Sequence, residues 1–224
     1  MTALSPTRLA GDFQVDTLIT GAPWKENCYV VRHGPSGDLA VIDPGDNVDA
    51  IVKACAPGTV RYVLLTHGHH DHVGAAAPLC RHFNLPCHLH QAEVRTLRHA
   101  PMYALRFASK KIDAPDAVQT FDKAADLRLG GQALAVYHTP GHTPGSVCYA
   151  LAGAAFTGDT LLREALGRTD LPGADAVALN ASVTRLLEQL PADTLLLPGH
   201  GRAWTAAEAR AWWRAAGPSQ AEIR

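Results

Sequence analysis

The chain has 224 residues, 47% of them hydrophobic and 18% charged, a balance that excludes a disordered protein and supplies a core without disulfides. Lys plus Arg number 20 against 21 for Asp plus Glu, so the basic surplus of a nucleic-acid binder is missing, and no apolar run approaches the ~20 residues of a membrane span. Histidine is the outlier, with 12 residues against five each of Cys, Phe and Tyr, and it raises the expectation of a metal site.

Met1 to Thr17 carry no basic start followed by an apolar run, so a secretory signal is not expected. Cys28, Cys55, Cys80, Cys87 and Cys148 are odd in number, form no Cys-x-x-Cys and sit largely in apolar settings. They read as buried free thiols in a reducing compartment, and a cytoplasmic location is the expectation.

In chain order, Cys28–Val31 and Leu39–Ile42 read as paired strands joined by the turn Gly34-Pro35-Ser36-Gly37. After Asp43-Pro44-Gly45, helical spacing of Val48, Ile51, Val52 and Cys55 predicts a helix. Val60–Leu65 is a nearly continuous apolar run, the mark of a strand covered on both faces. A helix is predicted from about Gly74 past Leu79, then a strand over Cys87–His90. Helix is again predicted over 91–111, with Pro101 interrupting or starting a segment.

The second half repeats the style. Leu134–His138, Ser146–Leu151 and Ala154–Thr157 read as strands. Asp175 is placed to cap a helix carrying Val177, Val183, Leu186, Leu187 and Leu190 on one face. Thr194–Leu197 reads as a buried strand, and Thr205 with Glu208 makes a capping pattern for a last helix bearing Trp212 and Trp213, followed by a polar tail. No low-complexity linker divides the chain, so one domain over 1–224 is expected, layered from sheets and helices.

The chemistry concentrates in Thr66-His67-Gly68-His69-His70-Asp71-His72-Val73-Gly74, directly after the buried strand. His67 and His69 are two apart and project to one side of an extended segment. Asp71 and His72 follow in a turn, near enough to serve a second, adjacent position. Three later positions share a grammar of a ligand-type residue beside glycine at a strand end: His142 in Thr139–Gly145, Asp159 in Phe156–Thr160 and His200 in Leu197–Gly201. Imidazole and carboxylate suit zinc, iron or manganese. Two cations sharing a water lower its pKa enough to supply hydroxide at neutral pH.

This His-x-His-x-Asp-His segment, followed in order by His142, Asp159 and His200, resembles the metallo-β-lactamase superfamily from about Asp43 to His200. The resemblance implies an α+β fold, a four-layer αβ/βα sandwich with metals at one edge between the sheets. It implies two divalent ions, Zn2+ first and Fe or Mn as alternatives. His67, His69 and His142 would hold one ion, Asp71, His72 and His200 the other. Asp159 would bridge both, with Asp71 and Asp159 the catalytic carboxylates and Asp43 a supporting group.

Within the superfamily the set of two aspartates and five histidines, without a cysteine ligand, resembles the short bacterial glyoxalase II-like (hydroxyacylglutathione hydrolase-like) branch. So does the segment Gly167-Arg168-Thr169-Asp170. The implied activity is hydrolysis of a small-molecule thioester of the S-acylglutathione type, with Arg168 as a substrate contact. A persulfide dioxygenase, with one Fe2+ on His67, His142 and Asp159, is the alternative; lactonase or esterase activity is a third. Only 24 residues follow His200, so glutathione contacts would have to come from elsewhere. The basic segment Arg95, Arg98, His99, Arg106, Lys110 and Lys111 offers them, although a solvated helix face explains it better. Tyr103 and Tyr149 read as packed aromatics before substrate contacts. His70 is expected exposed or supporting, and His33, His82, His88, His90, His99 and His138 without a metal role.

Overall fold

A computed structural model describes residues 6–122 and 126–217; the start of the segment examined for a signal and the polar tail lie outside them. One sheet has seven strands in sequential order: β1 (Thr7–Arg8), β2 (Phe13–Thr20), β3 (Glu26–His33), β4 (Asp38–Ile42), β5 (Thr59–Leu64), β6 (Cys87–His90) and β7 (Val118–Phe121). Its first four strands pair antiparallel and the rest parallel. The parallel connections are made by helices α1 (Val48–Ala54), α2 (His70–Val73), α3 (Ala76–Phe83) and α4 (Val94–Ala108), as parallel pairing requires. A small hairpin, β8 (Arg128–Leu129) with β9 (Gln132–Ala133), precedes the second large sheet. That sheet contains β10 (Ala135–His138), β11 (Val147–Leu151), β12 (Ala154–Gly158), β13 (Leu195–Pro198) and β14 (Trp204–Thr205), with α5 (Ala176–Gln189) and α6 (Ala206–Ala216) beside it.

Alternation along the strands sorts the apolar residues into layers. Tyr29 and Val31 of β3, Ile42 of β4 and Leu64 of β5 meet Val147, Tyr149 and Phe156 of the second sheet in the central core. Cys28, Val30, Leu39 and Val41 point the other way, onto Ile51, Cys55 and Leu79 of the helical layer. Leu179, Val183, Leu186 and Trp213 of α5 and α6 cover the outer face of the second sheet. The result is helix, sheet, sheet, helix, the four-layer sandwich. Each fully buried Leu or Phe in these layers stabilises the fold by about 1.5–3 kcal/mol relative to exposure.

The caps form as their sequences imply. Asp175 accepts from the backbone of Val177 and Ala178 at 2.9 and 3.0 Å, and Thr205 and Glu208 complete a capping box. All five cysteines are free and buried.

Four details differ from expectation. Val177 is 79% exposed, because it lies in the first turn of α5, off the face formed by Leu179, Ser182, Val183 and Leu186. Pro101 neither starts nor divides a helix; it sits inside α4, which runs on to Ala108. Asp71 and His72 occupy the short helix α2 rather than a turn. β2 is not legible as a strand in the sequence, since Thr17 and Leu18 break its apolar alternation, yet it pairs along its whole length with β3.

Candidate metal centre

Strand ends build the site. Asp43 follows β4, the segment from Thr66 to His72 follows β5, Asp159 follows β12 and His200 follows β13, while His142 lies in the loop between β10 and β11. Asp43 is 2% exposed. Its Oδ1 accepts from the Thr66 backbone N–H at 2.7 Å and its Oδ2 from the Thr66 hydroxyl at 2.6 Å. Oδ2 also lies 3.1 Å from His72 Nδ1. Asp43 thus joins two strand ends and contacts His72.

The hydrogen-bond partners determine which ring nitrogens face inward. The Thr66 hydroxyl gives its proton to Asp43, so it accepts from His67 Nδ1 at 3.0 Å. The lone pair then sits on His67 Nε2, which is buried and has no hydrogen-bond partner. His142 Nδ1 donates to the Arg168 carbonyl at 2.8 Å, and His200 Nδ1 donates to the Trp24 carbonyl at 3.1 Å. Each of these rings spends one N–H outward and turns its other nitrogen into the same space, as metal-binding imidazoles do.

Two groups result. Ligand atoms of His67, His69 and His142 lie within 4.8 Å of one another, as do those of Asp71, His72 and His200. Asp159 stands between them. Its carboxylate is 3.7 Å from His142 Nε2, 3.5 Å from His72 Nε2 and 3.6 Å from His200 Nε2. Asp159 Oδ1 is buried without a hydrogen-bond partner.

Electrostatics fits a cation. Burial, then the neighbouring imidazoles, holds His67 well below the usual histidine range. Burial and His142 push His69 down to about 3, so both rings are neutral, the form that ligates. Burial alone would raise Asp71 and Asp159, yet the positive charge of His72 and His200 outweighs it and keeps both carboxylates ionised. Conversely Asp159 and Asp71 overcome burial at His72 and raise it well above its ordinary range. The negative field that holds a proton there also attracts a metal ion. Unpartnered lone pairs, neutral imidazoles and ionised carboxylates together form a donor set suited to metal.

Glycine makes the close packing possible. A Cβ on Gly199 would lie 2.3 Å from Asp159 Oδ1 and 2.6 Å from His72 Cε1, so any side chain there would enter the centre.

The structure also shows a residue that the motifs do not reveal. Glu93, fully buried just after β6, accepts from the Gly68 N–H at 2.9 Å through Oε2 and from the Gly145 N–H at 2.7 Å through Oε1. It ties the His67–His69 segment to the loop of His142. The available sequence signal was an acidic residue between a buried strand and an amphipathic helix, easily read as a solvated helix start.

The centre opens into a cavity of about 1010 Å³. Arg168 lines it, with its guanidinium held by Asp170 through two contacts of 2.7 Å. Arg95, His99 and Tyr103 line it too, whereas Arg106 lies over Phe107 and Lys110 pairs with Asp46. Tyr149 is fully buried and donates to the Leu65 carbonyl, a packed aromatic. His70 lines the cavity edge-on to Trp24. His90 stacks on His138 and bonds to the Asp122 carbonyl, away from the centre. No described helix is long and apolar enough to cross a membrane.

Comparison with known proteins agrees with the fold. Hydroxyacylglutathione hydrolase GloC of Haemophilus influenzae is 33% identical over 190 residues, covering 82% of this chain and 89% of that one. The structure of TTHA1623 in a di-iron-bound form is 37% identical with TM-score 0.76, covering 87% of this chain and 96% of that one. ETHE1 from Myxococcus xanthus is 27% identical with TM-score 0.72, covering 88% and 81%. The family model of the metallo-beta-lactamase superfamily matches residues 21–200. With the strand ends of the candidate centre all inside that span, the chain belongs to the metallo-beta-lactamase superfamily, and its relatives include the glyoxalase II-like branch.

Proposed function

We propose that the protein hydrolyses thioesters of the S-acylglutathione type with two divalent metal ions. The observation that carries this reading is the position of Asp159 between two adjacent three-residue groups. His67, His69 and His142 would hold one ion, Asp71, His72 and His200 the other, with Asp159 shared. When bound, such ions supply Lewis acidity, activating water near neutral pH and stabilising negative charge that develops on a carbonyl.

The chain's own residues then have simple tasks. Asp43, the Arg168 carbonyl and the Trp24 carbonyl keep His72, His142 and His200 aimed inward. Glu93 holds two ligand loops in register. Arg168, braced by Asp170 on the cavity wall, offers positive charge to an anionic thiol portion. A thiolate is a weak base and leaves without a dedicated acid, so a thioester needs no further proton donor. Similarity to GloC supports the same substrate class.

Similarity to ETHE1 favours a second reading, persulfide oxidation with one iron on His67, His142 and Asp159. One experiment separates them. The hydrolase reading expects up to two metals per chain and cleavage of S-lactoylglutathione without O2. O2 uptake driven by glutathione persulfide, with one iron bound and no thioester cleavage, would overturn it.

A further inference from the structure

Helix α4 has three faces. Leu97, Ala100 and Ala104 are buried, and Arg98, Leu105 and Arg106 are exposed. The third face lines the same cavity as His69, His142 and Asp159. Its polarity is graded. Arg95, Thr96 and His99 lie toward the N-terminus, and Met102, Tyr103 and Phe107 toward the C-terminus.

The polar end is anchored at the metal ligands. A Cβ on Gly68, between His67 and His69, would lie 2.6 Å from the Leu97 nitrogen and 3.0 Å from Thr96 Cβ. With a rise of 1.5 Å per residue, Met102 is about 9 Å and Phe107 about 16 Å along the axis from Thr96. The apolar end is left bare: Met102 is 54% and Phe107 51% exposed, and the Tyr103 and Phe107 rings stack at 5.8 Å and 7°. Leu162 and Leu171 line the cavity as well. A short hydroxyacyl group held at the metal ligands would not reach this wall, whereas an extended apolar chain would follow it.

We propose that Met102, Tyr103 and Phe107 form an acyl-chain subsite, so that the substrates are thioesters of apolar, medium-length acyl groups. This inference rests on the thioesterase reading and narrows it. The thiol portion then occupies the side of the cavity lined by Arg163, Arg168 and Arg202. Met102, Tyr103 and Phe107 share one cavity with His69, His142 and Asp159, which selects a substrate chain as their occupant over a second copy of the protein.

S-Methyl, S-hexyl and S-octyl thioethers of N-acetylcysteamine, which cannot be hydrolysed, probe the wall by calorimetry. Affinity is expected to rise about fourfold per methylene in contact. Phe107→Ser and Met102→Ser should flatten the series, and Phe107→Leu should restore most of it. Equal affinity across the series, or a series unchanged in the serine variants, overturns the subsite. So does a dimer in sedimentation that Phe107→Ser disperses. Hydrolysis of two matched thioester series settles the orientation: kcat/KM should climb with acyl length, and a climb with thiol alkyl length instead refutes the assignment. Thioether binding that follows chain length in a protein that cleaves no thioester would keep an apolar subsite and refute the thioesterase reading.

Discussion

Nε2 of His142 lies 2.9 Å from Nδ1 of His69. His142 spends its Nδ1 proton on the Arg168 carbonyl, so without metal a single hydrogen bond from His69 joins the two rings. A cation held by His69 and His142 would replace that bond.

Metal removal should therefore destabilise the protein without unfolding it. Chelator-treated protein titrated with Zn2+ to 100-fold above Kd gains about 2.7 kcal/mol, a rise of roughly 5–10 °C in Tm for a domain of this size. Differential scanning calorimetry checks this; an unchanged Tm with metal bound would contradict a centre built on the folded state.

Asp159→Ala removes the carboxylate between the two groups. Bound metal is expected to fall to one ion per chain or fewer, with thioester cleavage reduced by at least 100-fold. Two ions retained by mass spectrometry, with turnover unchanged, would rule out a shared Asp159.

Gly199→Ala places a methyl where Asp159 Oδ1 and His72 Cε1 already stand. The backbone on both sides is hydrogen-bonded into the second sheet and to Asn27, so the fold should persist while the ligands are pushed apart. Metal affinity is expected to fall by more than tenfold, measured by competition with a chromogenic chelator, with little change in the far-UV spectrum.

Glu93→Gln keeps the side chain's size but leaves only one carbonyl oxygen for the N–H groups of Gly68 and Gly145. One buried donor then faces an amide NH2, a loss of about 2 kcal/mol in urea unfolding. Metal affinity should weaken as the two ligand loops lose their common anchor. If stability and affinity both match the parent, Glu93 does not hold the loops.

Asp175→Ala serves as the contrasting case. It removes the cap of α5, whose carboxylate accepts, among the described residues, only from the Val177 and Ala178 backbone, and should cost about 1 kcal/mol. Its metal content should match the parent's.

The sequence by itself determined the candidate ligand inventory and the elements that carry it. Residues of one chemical type, beside glycine at the ends of apolar runs, are visible because strand periodicity and turn chemistry are local properties of the chain. The strand ending at Leu65, the caps at Asp175 and Thr205 and the helix begun at Val48 are legible for the same reason. Tertiary structure decided what depends on distance between segments far apart in sequence. The pairing of β2 with β3 overrides a broken alternation because the backbone hydrogen bonds along the whole strand outweigh the inverted Thr17 and Leu18. The grip of Glu93 on Gly68 and Gly145 exists only once β6 brings a buried carboxylate to two loops, 25 and 52 residues away. The apolar wall of α4 likewise appears only when the cavity separates its faces. Hydrophobic spacing marks a helix as amphipathic, and only packing shows which bare face looks onto the metal ligands.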